Sequence, residues 1–162
     1  MSDENQTNGQ GGEANDAPPI TINVQYVKDL SFENPNAPAS LVQQESPDVE
    51  LRVDVGARQL GPNLFEVLLS INASAKHADD VAFLVECAYA GVVTLNVPDE
   101  HLQPVLLIEV PRLLFPFARS IVANAVRDGG FPPLMVQPID FLDLFRRRMA
   151  AAQAEQEAAG TA

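Results

Sequence analysis

The alternation of apolar and polar side chains between Ile20 and Tyr89 constrains this chain more than any other feature. Ile20, Ile22, Val24, Tyr26, Leu30 and Phe32 alternate with Thr21, Asn23, Gln25, Asp29, Ser31 and Glu33. That period of two belongs to a strand with one buried face and one wet face. Lys28 interrupts the apolar side and Val27 the polar side. After a stretch holding Pro35, Pro38 and Pro47, the pattern resumes with Val49, Leu51, Val53 and Val55 against Glu50, Arg52, Asp54 and Gly56. Gly61-Pro62-Asn63 reads as a turn, followed by Phe65, Val67, Leu69, Ile71 and Ala73 on one side. Lys76 to Asp80 is a short connection, and Val81, Phe83, Val85, Cys87 and Tyr89 form the fourth apolar set. Four strands in succession, with short connections after the first, predict an antiparallel meander.

Beyond Leu95 the period changes. Asp99 can cap a helical stretch reaching toward Ile108, with Pro104 inside it. From Leu113, the positions Leu114, Phe117, Ile121 and Ala125, flanked by Phe115, Val122 and Val126, keep helical spacing. Pro116 suits the first turn of that helix, and Asp128-Gly129-Gly130 its end. Phe131-Pro132-Pro133 then leads to a last helix starting near Asp140, with Phe141, Leu144 and Phe145 on one face. Arg146, Arg147 and Arg148 fall near its expected C-terminal end, where cations complement the helix dipole. Strands followed by helices predict an α+β fold, a four-stranded antiparallel sheet with two main helices on one face.

The ends differ from the middle. Residues 1–19 contain four acids and no base, and too little apolar surface to offset the entropy of ordering. They are expected to form a disordered acidic tail before a folded domain over residues 20–149. Residues 150–162 are rich in Ala, Gln and Glu without a large apolar stripe, and are expected to fray or to be disordered.

Charge narrows the choice of partner. The 162 residues carry 22 acids and 10 bases, a net charge of −12, which repels nucleic acid and anionic lipid and favours basic partners. Residues 1–109 hold net −13 and residues 110–162 net +1, so the strand half carries the field. The apolar stretch from Pro104 to Val126 is broken by Glu109, Arg112, Arg119, Pro111 and Pro116, which does not suit a membrane span. Residues 1–19 have neither the cationic start nor the apolar stretch of a secretory signal. Cys87 is the single cysteine, which excludes an internal disulfide and favours a cytoplasmic setting.

Opposite the apolar face of the strands lie Asp29, Glu33, Glu50, Asp54, Glu66 and Glu86, with Arg52, Arg58 and Lys76, and with Leu64, Leu68 and Leu84 among them. An acidic plate with a few leucines fits a docking surface for a basic, partly apolar partner, and equally a solvated sheet face. A helix as apolar all round as Leu113–Val126 needs burial on more sides than one small sheet offers, which points to an oligomer interface. Catalytic signals are thin. His77 and His101 are the only histidines, too few for a histidine metal site, and Cys87 falls on an apolar strand face rather than in a reactive setting. A small metal or thiol enzyme built on these three residues is the weakest reading. No phosphate loop or nucleophile elbow is present, and no cofactor is expected.

At this point the residues match a known family. Lys28-Asp29-Leu30-Ser31-Phe32-Glu33-Asn34-Pro35-Asn36-Ala37-Pro38 resembles the opening signature of SecB, the bacterial protein-export chaperone. Ala82 to Glu86, Leu113 to Arg119 (Leu-Leu-Phe-Pro-Phe-Ala-Arg), Gly130 to Leu134, and Pro138-Ile139-Asp140-Phe141 with Leu144-Phe145 resemble its later signatures in the same order. The resemblance covers roughly residues 20–148. Val110 and Arg112 depart from it, standing where the family often has Cys and Asn.

The resemblance implies a dimer of dimers with the first long helix at the tetramer interface, here Leu114, Phe117, Ile121 and Ala125. It implies a chaperone, not an enzyme, that binds unfolded secretory precursors without nucleotide and delivers them to the SecA translocase. Family members dock SecA through acids on the sheet, partly by way of its basic, zinc-bearing C-terminal tail. The matching positions are Asp29, Glu33, Leu84 and Glu86. Apolar grooves beside the last helix and the loop after the first strand hold clients in the family. The candidates here are Leu41, Val42, Leu134, Met135, Phe141, Leu144 and Phe145, each of which also fits ordinary core packing. A SecB-like chaperone dedicated to a toxin–antitoxin pair is the alternative within the same fold.

Overall fold

The computed structural model describes residues 16–161. Strands β1 (Ile20–Glu33), β2 (Asp48–Gly61), β3 (Leu64–His77) and β4 (Asp80–Leu95) form one sheet in the order β1-β4-β3-β2, with every neighbouring pair antiparallel. The expected meander therefore holds for β2, β3 and β4 only. β1 pairs with β4 because the proline-bearing segment after it is too long for a hairpin and carries the chain across to the far edge. Both hairpin turns use a positive φ, 57° at Asn63 and 52° at Ala78.

The strand β1 differs most from its sequence pattern. Register shifts between Ile22 and Val24 and between Val27 and Asp29 mark two bulges. Between them the strand is flipped. Val24 and Tyr26 lie opposite Val92 and Ala90 on the outer face, whereas Gln25 and Val27 lie opposite Gly91 and Tyr89 on the helix-facing side. The interruption at Lys28 and Val27 was the visible trace of this flip, since an extra residue reverses the phase of everything beyond it.

One helical rod follows the sheet. It comprises α1 (Asp99–Pro104), a π-helical turn (Val105–Glu109) and α2 (Val110–Asp128) without a break. Pro98, not Asp99, is the N-cap, and Asp99 sits in the first turn with Glu100. Pro104 and Pro111, which bring no N–H to the helical ladder, flank the wide turn. Pro116 lies inside α2 rather than in a first turn, because the helix begins upstream of the expected start at Leu113. Gly129 caps its end and Gly130 follows at φ 94°.

Helix α2 packs on β3 and β4. Leu114 is fully buried there, and a Cβ on Gly91 would stand 2.9 Å from its Cδ2, so the glycine lets helix and sheet approach closely. The core continues through Val67, Leu69, Ile71, Val85, Val122 and Val126 to Phe115, whose ring meets Phe141 edge-on at 6.1 Å.

Helix α3 (Phe141–Gly160) is capped by Asp140, whose carboxylate accepts from the Asp143 N–H at 2.9 Å. It runs past Met149 as far as Gly160, with every side chain from Arg146 to Gly160 exposed. Of the expected N-terminal tail, residues 1–15 lie outside the described residues. Pro19 and Ala17 are held by Asn96, through its N–H at 2.9 Å and its side-chain amide at 3.4 Å. No described helix is long and apolar enough to cross a membrane.

Candidate docking face and apolar grooves

The ladders place the outer-face residues in rows across all four strands. Glu33, Leu84, Ser74 and Glu50 form the first row, Ser31, Glu86, Asn72 and Arg52 the second, and Asp29, Ala88, Ser70 and Asp54 the third. Asp29, Glu33, Leu84 and Glu86 are thus neighbours on one face of two adjacent strands. The three acids are exposed and Leu84 is half-buried. A shallow depression of about 200 Å³ is lined by Leu84, Glu86, Asn72, Ser74, Glu50 and Arg52. Asn72 and Ser74 were not singled out in the sequence, because a neutral polar residue on a wet strand face carries no signal of its own.

Glu66 departs from the expected plate. It is only 6% exposed, and three side chains converge on it. Tyr26 Oη donates to its Oε2, while Lys28 Nζ at 2.8 Å and Arg58 Nε at 2.9 Å donate to its Oε1. Hydrogen bonds from Arg58, then Lys28, then Tyr26 hold its carboxyl at a pKa of about 2, against an opposing push from burial. The Tyr26 hydroxyl is correspondingly raised, chiefly by that hydrogen bond. The open acidic surface therefore consists of Asp29, Glu33, Glu50, Asp54 and Glu86. The opposite end of the face is neutralised.

The loop after β1 is held by its asparagines. Asn34 Nδ2 donates to the Gly129 carbonyl at 3.0 Å and Asn36 Nδ2 to the Val81 carbonyl at 2.8 Å. Buried Ser40 donates to Asn34 Oδ1 at 3.0 Å, and the Ala37–Pro38 peptide is cis. Leu41 lies against Gly130, and Val42, 77% exposed, projects beyond it.

The other groove candidates do not share one cavity. Leu144 and Phe145 line a groove of about 310 Å³ with Val55 and Leu107. Leu144 also borders a second groove of about 660 Å³ along the β2 edge, with Leu51, Val53 and Ile139. Met135 is exposed beside a separate cleft over α2 formed with Pro116, Ala123 and Pro133. Leu134 is half-buried against the core. Phe141 belongs to the core and offers no open surface. Leu51, exposed on the helix-facing side of β2, and its neighbour Val53 are groove residues that sequence reasoning passed over. Alternation assigns a face, but it does not say where the helices stop covering it.

The arginine run has a different role from dipole complement. Because α3 extends to Gly160, these residues lie in its second turn rather than at its end. Arg147 pairs with Asp143, and Arg148 donates to the Val55 carbonyl and lies 3.7 Å from Asp54, tying α3 to β2.

Among the interface candidates, Leu114 is turned wholly into the sheet, while Phe117 is 50% exposed and Ile121 and Ala125 are half-buried. Phe117 stacks on Tyr89 at 6.2 Å, and exposed Leu113 shares its side of the helix. Val27 and Leu30 are also exposed although they face the helix side of the sheet, because α2 does not reach the β1 edge there. His77 Nε2 donates to the Glu45 carbonyl at 2.9 Å, and His101 lies beside Glu100 on the surface. Cys87 is 1% exposed, and burial raises its thiol pKa.

The profile of the family described as preprotein translocase subunit SecB matches residues 13–152. A protein-export protein SecB of Rhodopseudomonas palustris strain TIE-1 is 55% identical over 150 residues, covering 91% of this chain and 96% of the relative. One from Bradyrhizobium sp. strain BTAi1 is 56% identical over 157 residues, covering 93% and 97%. Among solved structures, a SecB-like chaperone of Mycobacterium tuberculosis, in complex with a ChAD peptide from an antitoxin, superposes with a TM-score of 0.63 at 14% identity. It covers 74% of this chain and 90% of that one, and bears on the fold alone. With its sheet, helices and signature residues in that arrangement, the chain belongs to the SecB family.

Proposed function

We propose that this chain is a cytoplasmic, nucleotide-independent export chaperone that holds precursor proteins unfolded and delivers them to the SecA translocase. It is a binding protein and not a catalyst, and it works without a cofactor. The observation that carries the reading is the shared face of Asp29, Glu33, Leu84 and Glu86, acids and a leucine side by side on two paired strands. Such a face complements a tail that is basic and partly apolar, as the SecA tail is in this family.

Clients bind along the apolar grooves beside α3 and β2, with Leu144 and Phe145 as contacts and Leu41, Val42, Leu134 and Met135 as further ones. Each client side chain moved out of water gains about 1.5–3 kcal/mol before the cost of ordering it. Repetition of such pockets over an assembly makes weak contacts strong through effective concentration. Assembly is as a dimer of dimers. The apolar strip of Val27, Leu30, Leu113 and Phe117, left uncovered within one chain, supports it. The toxin–antitoxin reading has only a likeness of fold behind it, whereas relatives sharing more than half of the sequence are export proteins.

The test is refolding of a denatured secretory precursor in the presence of the purified protein. Stoichiometric slowing without ATP is expected. Refolding at the unassisted rate under a several-fold excess would refute the chaperone reading.

A further inference from the structure

The register of β1 can be compared with the one it would have without bulges. Continuing the pairing of Ile22 with Val93 straight down the ladder would set Lys28 opposite Cys87, Asp29 opposite Glu86 and Glu33 opposite Ala82. That arrangement would set a lysine on the apolar, helix-facing side of the sheet, where Leu30 stands opposite Cys87, and place two carboxylates directly across from each other, both unfavourable. The two bulges instead advance β1 by two residues along β4, so that Glu33 meets Leu84 and Ser31 meets Glu86. A shift of two keeps the acids on the same face and changes only their spacing from β4.

What holds the bulged register lies on the outer face. The flipped segment carries Tyr26 there, the second bulge carries Lys28 there, and both bind Glu66 of β3. The contact spans β4, which runs between the two strands. We propose that Lys28 and Tyr26, anchored on Glu66, are positioning residues that fix the two-residue offset of β1 and thereby set Asp29 and Glu33 against Leu84 and Glu86 in the docking arrangement. This inference rests on the docking reading given above. Neither Lys28, Tyr26 nor Glu66 is itself assigned to contact with the partner.

The test uses opposite signs. Lys28→Met removes a cation from an acidic face, so charge alone would tighten a basic ligand. It also makes the unbulged strand apolar on its inner side, so loss of positioning would weaken that ligand. Lys76→Met makes the same charge change on β3, outside the bulges of β1 and outside the Glu66 cluster. The parent and both variants, as the full-length assembly, are titrated with the basic tail peptide of SecA. Hydrogen exchange across residues 28–33 is measured in parallel, with Tyr26→Phe as a variant neutral in charge.

The expected result is affinity lowered about fivefold or more in Lys28→Met and lowered in Tyr26→Phe, unchanged or tighter in Lys76→Met, with faster exchange in residues 28–33 of the first two. Equal or tighter binding by Lys28→Met, with the parent binding normally, would overturn the positioning role and leave docking intact. No binding by the parent would overturn docking and this inference together.

Discussion

Glu33 and Leu84 stand directly opposite each other in the β1–β4 ladder, on the face turned away from the helices. A carboxylate on an edge strand and a half-buried leucine on its neighbour thus set negative charge and apolar surface side by side, the two features that the proposed docking of a basic, partly apolar segment needs. Glu86 and Asp29 extend that point along the strands.

Glu86 occupies the middle of this surface, between Ser31 and Asn72 in its row, and is exposed. Glu86→Lys is expected to weaken binding of the basic tail about tenfold, on the order of 1.4 kcal/mol, because attraction becomes repulsion at the centre. Client holding should be unchanged. Calorimetry of the variant against the parent checks the first statement and a refolding assay the second.

Helix α2 separates two kinds of apolar residue. Phe117→Ser removes exposed surface and is expected to shift the proposed tetramer toward dimer in sedimentation velocity, with little change to the folded chain. Leu114→Ala hollows the packing against Gly91 and should cost about 2–5 kcal/mol of stability, visible as a lower Tm. If Phe117→Ser sedimented as the parent does, the assignment of this helix face to assembly would fail.

The Glu66 cluster has a defined pH dependence. Its folded pKa of about 2 lies below the ordinary value of 4.5, so its contribution is fully present above about pH 5. It declines as the pH falls below 4.5 and is gone once the pH has passed below 2. The stability difference between the parent and Glu66→Gln should therefore be constant through neutral pH and shrink over that acid window. Denaturant unfolding at a series of pH values measures it. A difference that grew on acidification would contradict the ion-pair assignment.

Gly129 ends α2 where the Phe32 ring crosses it. A Cβ there would stand 2.2 Å from Phe32 Cζ, although the φ of −74° suits any residue. Gly129→Ala should displace the ring and cost about 1–3 kcal/mol, seen as a lower Tm with secondary structure retained.

Much of this was legible in the sequence because β2, β3 and β4 alternate without interruption. Their outer faces, including Leu84 and Glu86, follow from counting alone. The middle of β1 was not legible. Two bulges reverse the phase between Val24 and Val27, and a count of two cannot register an inserted residue. For the same reason Tyr26 was assigned to the core, and the burial of Glu66 went unseen: its partners Lys28 and Arg58 lie 38 and 8 residues away in sequence. Sheet order also escaped, since a proline-rich crossover states only that the next strand is not a tight hairpin partner. The length of α3 was hidden by its composition. Ala, Gln and Glu favour a helix, yet without an apolar stripe they give no sign that it persists to Gly160. Asp29, Glu33, Leu84 and Glu86 nevertheless share the expected face, because the two shifts in β1 cancel in phase and return Asp29 and Glu33 to it.

The most direct test of the account is a calorimetric titration of the purified protein with the zinc-loaded C-terminal tail of SecA at two salt concentrations. Binding that weakens as salt is raised is the expected result, since the proposed contact surface is acidic and exposed. No binding to a correctly folded assembly, or binding indifferent to salt, would contradict docking through the acidic sheet face.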